Sequence, residues 1–107
     1  MKRIKDIKII ALDIDGTLLT TDKRLTDRNR TALQNASDRG IHIVPVTGRV
    51  YRGLPQAILA LPFLRYAITA NGASVYDIGH DSILYRAEMT VSQAVQIMSW
   101  LDGQSVI

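Results

Sequence analysis

Asp13 and Asp15 stand two positions apart, and at the end of an extended segment that spacing turns both carboxylates the same way. Such a pair can hold a hard cation, or divide the work of a nucleophile from that of a general acid or base. Gly16 behind them permits close backbone approach to an anion, and Thr17 can hydrogen-bond a carboxylate. Taken alone, the same residues also suit a helix-capping or turn cluster, because aspartate favours turns. A calcium loop is disfavoured, since Ile14 and Thr17 break the D-x-D-x-D-G pattern.

The elements that must position this pair can be read from hydrophobic patterning. Ile7, Ile9, Ile10, Leu12 and Ile14 form a near-continuous apolar run, which predicts a buried strand of a parallel sheet. Thr26 reads as the N-cap of a crossover helix that carries Ala32, Leu33 and Ala36 on one face and stops at Gly40. Ile41 to Val46 is a second strand, weakened by the ladder donor that Pro45 lacks, and Thr47-Gly48-Arg49 follows it. Leu54 to Leu61 predicts a short helix with Pro55 in its first turn, and Tyr66 to Thr69 a third strand ended by Asn71-Gly72.

Residues 73–76 and 82–85 read as a hairpin, and Thr90 with Gln93 as the capping box of a last helix. Val91, Ala94, Val95, Met98 and Leu101 share one face of that helix, and Trp100 adds packing surface. Alternating strands and helices make the expected class α/β: a partial Rossmann-like open parallel sheet with helices on both faces, plus the hairpin. In such sheets ligands bind beyond the carboxyl ends of the strands. Asp13, Thr47 and Asn71, 34 and 24 residues apart in sequence, should therefore meet there.

The string Asp13-Ile14-Asp15-Gly16-Thr17-Leu18-Leu19 after an N-terminal strand resembles the first motif of the haloacid dehalogenase superfamily of phosphatases. Thr47-Gly48-Arg49 and Asn71-Gly72-Ala73 continue the resemblance towards its Cof-type branch with a type-two cap. The resemblance implies a magnesium-dependent phosphomonoester hydrolase acting on a small phosphorylated metabolite such as a sugar phosphate. By it, Asp13 is the nucleophile that becomes an aspartyl-phosphate and whose carboxylate ligates Mg2+, while the backbone carbonyl of Asp15 also reaches the metal. Asp15 is also the acid and base, and Thr47 and Gly48 bind the phosphoryl oxygens. Arg49, like Arg52 a guanidinium fork just past the second strand, is a candidate for gripping substrate, and Asn71 for orienting substrate or Asp13.

The family's chains run well beyond residue 107, so residues 1–86 are expected to be the N-terminal part of the phosphatase core and 87–107 the opening of a truncated cap. The later lysine and aspartates of the family have no counterpart here, and Lys23 lies too near the first motif to replace that lysine. Ser105 to Ile107 resemble a strand cut short. In the resembling fold the first strand is central, so its bare edge here predicts a homodimer or swapped assembly. Two other functions fit parts of the pattern. One is a catalytically inactive fragment or interaction module, and the other is a receiver-type signalling domain, which Gly16-Thr17 and Thr47-Gly48-Arg49 disfavour.

The 107 residues are 47% hydrophobic and 21% charged with a net charge of +3, the balance of one folded domain and too mildly basic to indicate nucleic acid. No disulfide, thiolate nucleophile or cysteine-ligated metal is possible without cysteine. Asp6 and Asp13 interrupt the N-terminal apolar stretch, no run could span a membrane, and the cytoplasm is the expected compartment. His42 reads as a structural residue and His80 as exposed in a turn. Lys2, Arg3, Lys5 and Lys8 read as a solvated strand entrance.

Overall fold

A computed structural model describes residues 6–104, so the basic Lys2, Arg3 and Lys5 and the strand start at Ser105 to Ile107 lie outside the described residues. Three parallel strands and a hairpin make one five-stranded mixed sheet in the order β1-β2-β3-β4-β5. β1 (Ile9–Asp13) pairs β2 (His42–Val46) from Ile9 opposite His42 to Asp13 opposite Val46. β3 (Tyr66–Thr69) meets β2 at a single register pair, Val46 with Ile68, and β4 (Ser74–Asp77) and β5 (Ser82–Arg86) extend the sheet antiparallel.

Pro45 is tolerated in this central strand for a reason the pairing makes plain. The His42 amide donates to Lys8 in the β1 direction and the Thr47 amide to Ile68 of β3, so odd positions of β2 face β3. The donor missing at Pro45 therefore falls on the side where the ladder is short. Pro45 itself is among the most fully buried side chains.

Two crossover helices join the parallel strands. α1 (Asp27–Asp38) begins at Thr26, whose Oγ1 accepts from the Asn29 amide, and α2 (Gln56–Leu59) follows Pro55 and a 3-10 turn at Tyr51–Gly53. α2 is only half as long as the 54–61 helix that the sequence predicts. Both crossovers step the same way across the sheet, and the right-handed rule then puts both helices on one face. Leu33 of α1 and Ile58 of α2 accordingly share one core with Ile43 of β2 and Ala67 of β3. The two crossover helices thus pack on one face of the sheet. On the other face Ile9 is 60% exposed.

Asp77 anchors the hairpin. Its side chain is 6% exposed and takes the Nδ1–H of His80 at 2.9 Å and the His80 amide at 3.1 Å, with Arg65 at 3.7 Å. His80 is exposed, as its turn position suggests, yet it closes the turn through this contact. The His80 hydrogen bond holds the Asp77 carboxyl below its usual 3.8. Because the folded value is depressed, its stabilisation is complete above pH 3.8 and is lost as pH falls below it. Urea midpoints measured from pH 6 to pH 2 should fall more steeply in the parent than in Asp77→Asn; parallel curves would assign the acid sensitivity elsewhere.

α3 (Val91–Asp102) has the expected capping box, with Thr90 Oγ1 taking the Gln93 amide and Gln93 Oε1 taking the Thr90 amide. Its apolar face is not packed: Val91, Val95, Met98 and Trp100 are 57–81% exposed, and no residue of the helix is buried. The radius of gyration is 17.5 Å, against about 13 Å for a compact domain of this length.

Candidate active site

β1 delivers the two aspartates by alternation. Ile14 turns inward and is wholly buried, and Leu18 and Leu19 follow it into the core, so Asp13 and Asp15 are left on the solvent side. The amides of Leu18 and Leu19 both donate to the Ile14 carbonyl, at 3.1 and 2.9 Å, which curls the loop over that side chain. Gly16 adopts φ +75°, a left-handed conformation that costs other residues about 1–2 kcal/mol. Thr17 then donates its hydroxyl to Asp13 Oδ2 at 3.3 Å.

Asp15 is held by two cations. Arg49 donates from Nε to Oδ2 at 2.8 Å and from Nη2 to Oδ1 at 2.9 Å, and Lys23 donates to Oδ1 at 2.9 Å. Nη1 of Arg49 reaches the Gly53 carbonyl at 2.9 Å, so all three arms of its fork are committed within the protein. These contacts, Arg49 first and Lys23 second, push the Asp15 carboxyl far below the usual aspartate value. Asp15 therefore stands here as a carboxylate, the form of a general base.

The sequence offers Arg49 as a grip for substrate, and the structure places it on Asp15 instead. Lys23, which the sequence reading sets aside as too near the first motif to replace the family's later lysine, reaches the site nonetheless, bonding Asp15. Its place is set by a left-handed residue, φ +63°, in the loop after β1 that no local pattern announces.

Thr47, 5% exposed, joins the strand ends: its amide donates to Ile68, its carbonyl takes the Asn71 amide at 3.1 Å, and its Oγ1 takes the Arg49 amide at 3.0 Å. With that lone pair occupied, the hydroxyl retains its own proton to donate. Asn71 is left-handed, φ 56°, inside the 3-10 turn at Ala70–Gly72. Gly48 lies against it, and a Cβ there would come within 2.8 Å of Asn71 Oδ1. Gly48→Ala is expected to displace the Asn71 side chain, shifting its amide resonances, while stability changes by less than about 1 kcal/mol because only a side-chain tip must move. Unmoved Asn71 resonances would contradict that packing.

For a metal the donor set is hard oxygen, which suits Mg2+. Asp13 offers its carboxylate, and with both side-chain oxygens of Asp15 engaged by Arg49 and Lys23, the backbone carbonyl is the oxygen of Asp15 left to contribute. Among the described residues no three Asp, Glu or His side chains cluster. Mg2+ is commonly held by one or two carboxylates with water and substrate phosphate completing its shell, and Asp13 fits that part of the demand.

The profile of the haloacid dehalogenase-like hydrolases matches residues 10–106, which includes every residue of this cluster. The chain belongs to that family. Curated relatives of this haloacid dehalogenase-like chain include a 5-amino-6-(5-phospho-D-ribitylamino)uracil phosphatase of Bacillus subtilis, 40% identical over 67% of this chain and 29% of the relative. The pyridoxal phosphate phosphatase of Escherichia coli is 36% identical over 92% of this chain and 36% of its own length. Among solved structures, a haloacid dehalogenase-like hydrolase from B. subtilis superposes with a TM-score of 0.78 at 32% identity, over 91% of this chain and 34% of that one. The chain spans about a third of the length of these relatives.

Proposed function

We propose that this chain carries the nucleophile-bearing part of a magnesium-dependent phosphomonoester hydrolase that acts in the cytoplasm on a small phosphorylated metabolite such as a sugar phosphate. The observation that supports this most is the convergence of Asp13, Asp15, Thr47 and Asn71 at the carboxyl ends of β1, β2 and β3, tied by the Arg49 to Asp15 and Asn71 to Thr47 hydrogen bonds. The names of the relatives, phosphatases of phosphorylated small molecules, point the same way.

In this reading an Asp13 oxygen attacks phosphorus, the ester P–O bond breaks, and the phosphoryl group passes to the carboxylate. Thr17, bonded to Asp13 Oδ2, leaves Oδ1 as the attacking oxygen. The Thr47 hydroxyl and the Gly48 amide stabilise charge on the equatorial oxygens. Asp15 protonates the leaving oxygen and then takes a proton from the water that attacks the aspartyl-phosphate. The first of these acts requires release of Asp15 from Arg49 and Lys23, and the second uses Asp15 as it stands. Mg2+ held at Asp13 would neutralise charge as the nucleophile and phosphate approach each other.

Phosphate release from a panel of sugar phosphates and an aryl phosphate, with and without Mg2+, tests the reading. Turnover that depends on Mg2+ supports it, and turnover unaffected by chelation contradicts it.

We place the boundary between the phosphatase core and the start of a cap after Arg86. β5, the last strand of the sheet, ends at Arg86, and α3 beyond it has no buried residue. We also propose that the 107-residue chain alone pairs with a second copy along β1, which has a neighbour on one side only among the described residues. Light scattering at micromolar concentration should give a mass above 11.9 kDa, and Ile9→Lys should lower it; a monodisperse monomer contradicts the pairing.

A further inference from the structure

We propose that the cavity behind the Ala70–Gly72 turn receives an uncharged planar group of the phosphate ester, which narrows the substrate class and rests on the phosphatase reading above. The cavity has a volume of about 280 Å³. Pockets for drug-sized ligands start near roughly 300 Å³, so this one has room for about a single ring.

Its surface is suited to a flat, apolar guest. The rings of Tyr51 and Tyr76 lie 3.7 Å apart at 11°, a parallel stack that offers a third ring a flat surface, and Ile83 of β5 lies beside them, 39% exposed. Ala70, Ala73 and Ala87 line the rest without side chains to obstruct a ring. Two of the polar groups present are already partnered. Arg86 Nε donates to Glu88 at 3.0 Å, which cancels the charge at the rim, and the Ser74 hydroxyl pairs with Thr69 at 2.5 Å. A ring gains stacking and apolar contact here.

The cavity neighbours the phosphate cluster through the Ala70–Gly72 turn, although Asp13, Asp15, Thr47 and Gly48 are not among its lining residues. Tyr51 follows two residues after Arg49, which holds Asp15, and the Ala70 amide donates to the Arg49 carbonyl at 2.8 Å. Asn71, next to Ala70, bonds through its amide to Thr47. One turn thus forms a wall of the cavity and one side of the phosphate site.

Titration of the 15N-labelled chain with inorganic phosphate, methyl phosphate and phenyl phosphate tests this without turnover. Phenyl phosphate should bind about tenfold more tightly than methyl phosphate and shift the amides of Ala73, Ile83 and Ala87. Ile83→Glu, at a solvent-open position, should abolish that advantage and leave methyl phosphate binding unchanged. Equal binding of the two esters with no shifts around the cavity overturns the proposal while leaving the phosphatase reading intact. If none of the three probes shifts the Thr47 or Gly48 amides, the phosphatase reading fails, and this proposal with it.

Discussion

Asp13→Asn is expected to reduce phosphate release by about 10³-fold or more, because the amide removes the attacking oxygen and the negative charge at once. Asp13 is exposed at the end of β1, and its only side-chain partner among the described residues is Thr17 at 3.3 Å. The substitution should therefore leave the urea midpoint close to that of the parent. That combination separates chemistry from folding. A variant that lost activity only in proportion to lost stability would assign Asp13 a structural place, and one that kept most of its turnover would move the nucleophile elsewhere.

Ile58→Ala carries the largest expected cost to stability, about 2–5 kcal/mol, read from urea denaturation. Ile58 is wholly buried on a helix of four residues, far too short to persist without tertiary packing. Its side chain joins the core formed by Ile14, Leu33, Ile43 and Ala67. A small domain has only about 5–15 kcal/mol in total, so the variant should unfold at much lower urea. The damage should reach the site, since α2 lies in the connection from Thr47 after β2 to Asn71 after β3. A loss below about 1 kcal/mol would mean that the crossover is held by other contacts.

Much of this architecture is legible in the residues themselves. Thr26 and the Thr90–Gln93 pair announce helix starts because capping is a local hydrogen-bond pattern, and both appear where expected. Tyr66 to Thr69 is a strand with those limits, bounded as it is by turn-forming residues. The gathering of Asp13, Thr47 and Asn71 follows from the grammar of parallel strands, which places every loop after a strand at the same end of the sheet.

What the sequence leaves hidden is long-range or depends on partners. The contact of Arg49 with Asp15 spans 34 residues, and the reach of Lys23 depends on a backbone conformation that lysine rarely adopts. Likewise, the periodicity of α3 shows an apolar face and says nothing about what covers it. The 3.6-residue pattern of Leu54 to Leu61 overstates α2, because part of that apolar run packs as irregular chain: Leu54 precedes the helix and Leu61 follows it, both buried.

The most direct test of the account is to find where phosphate becomes attached. The protein would be quenched in acid during turnover of an aryl phosphate with Mg2+, reduced with borohydride, and mapped by mass spectrometry. Reduction of an acyl phosphate converts the aspartate that carries it to homoserine. The account predicts homoserine at position 13 and at no other aspartate, and none in Asp13→Asn. Homoserine at Asp15, or steady turnover with no reducible aspartate, would contradict it.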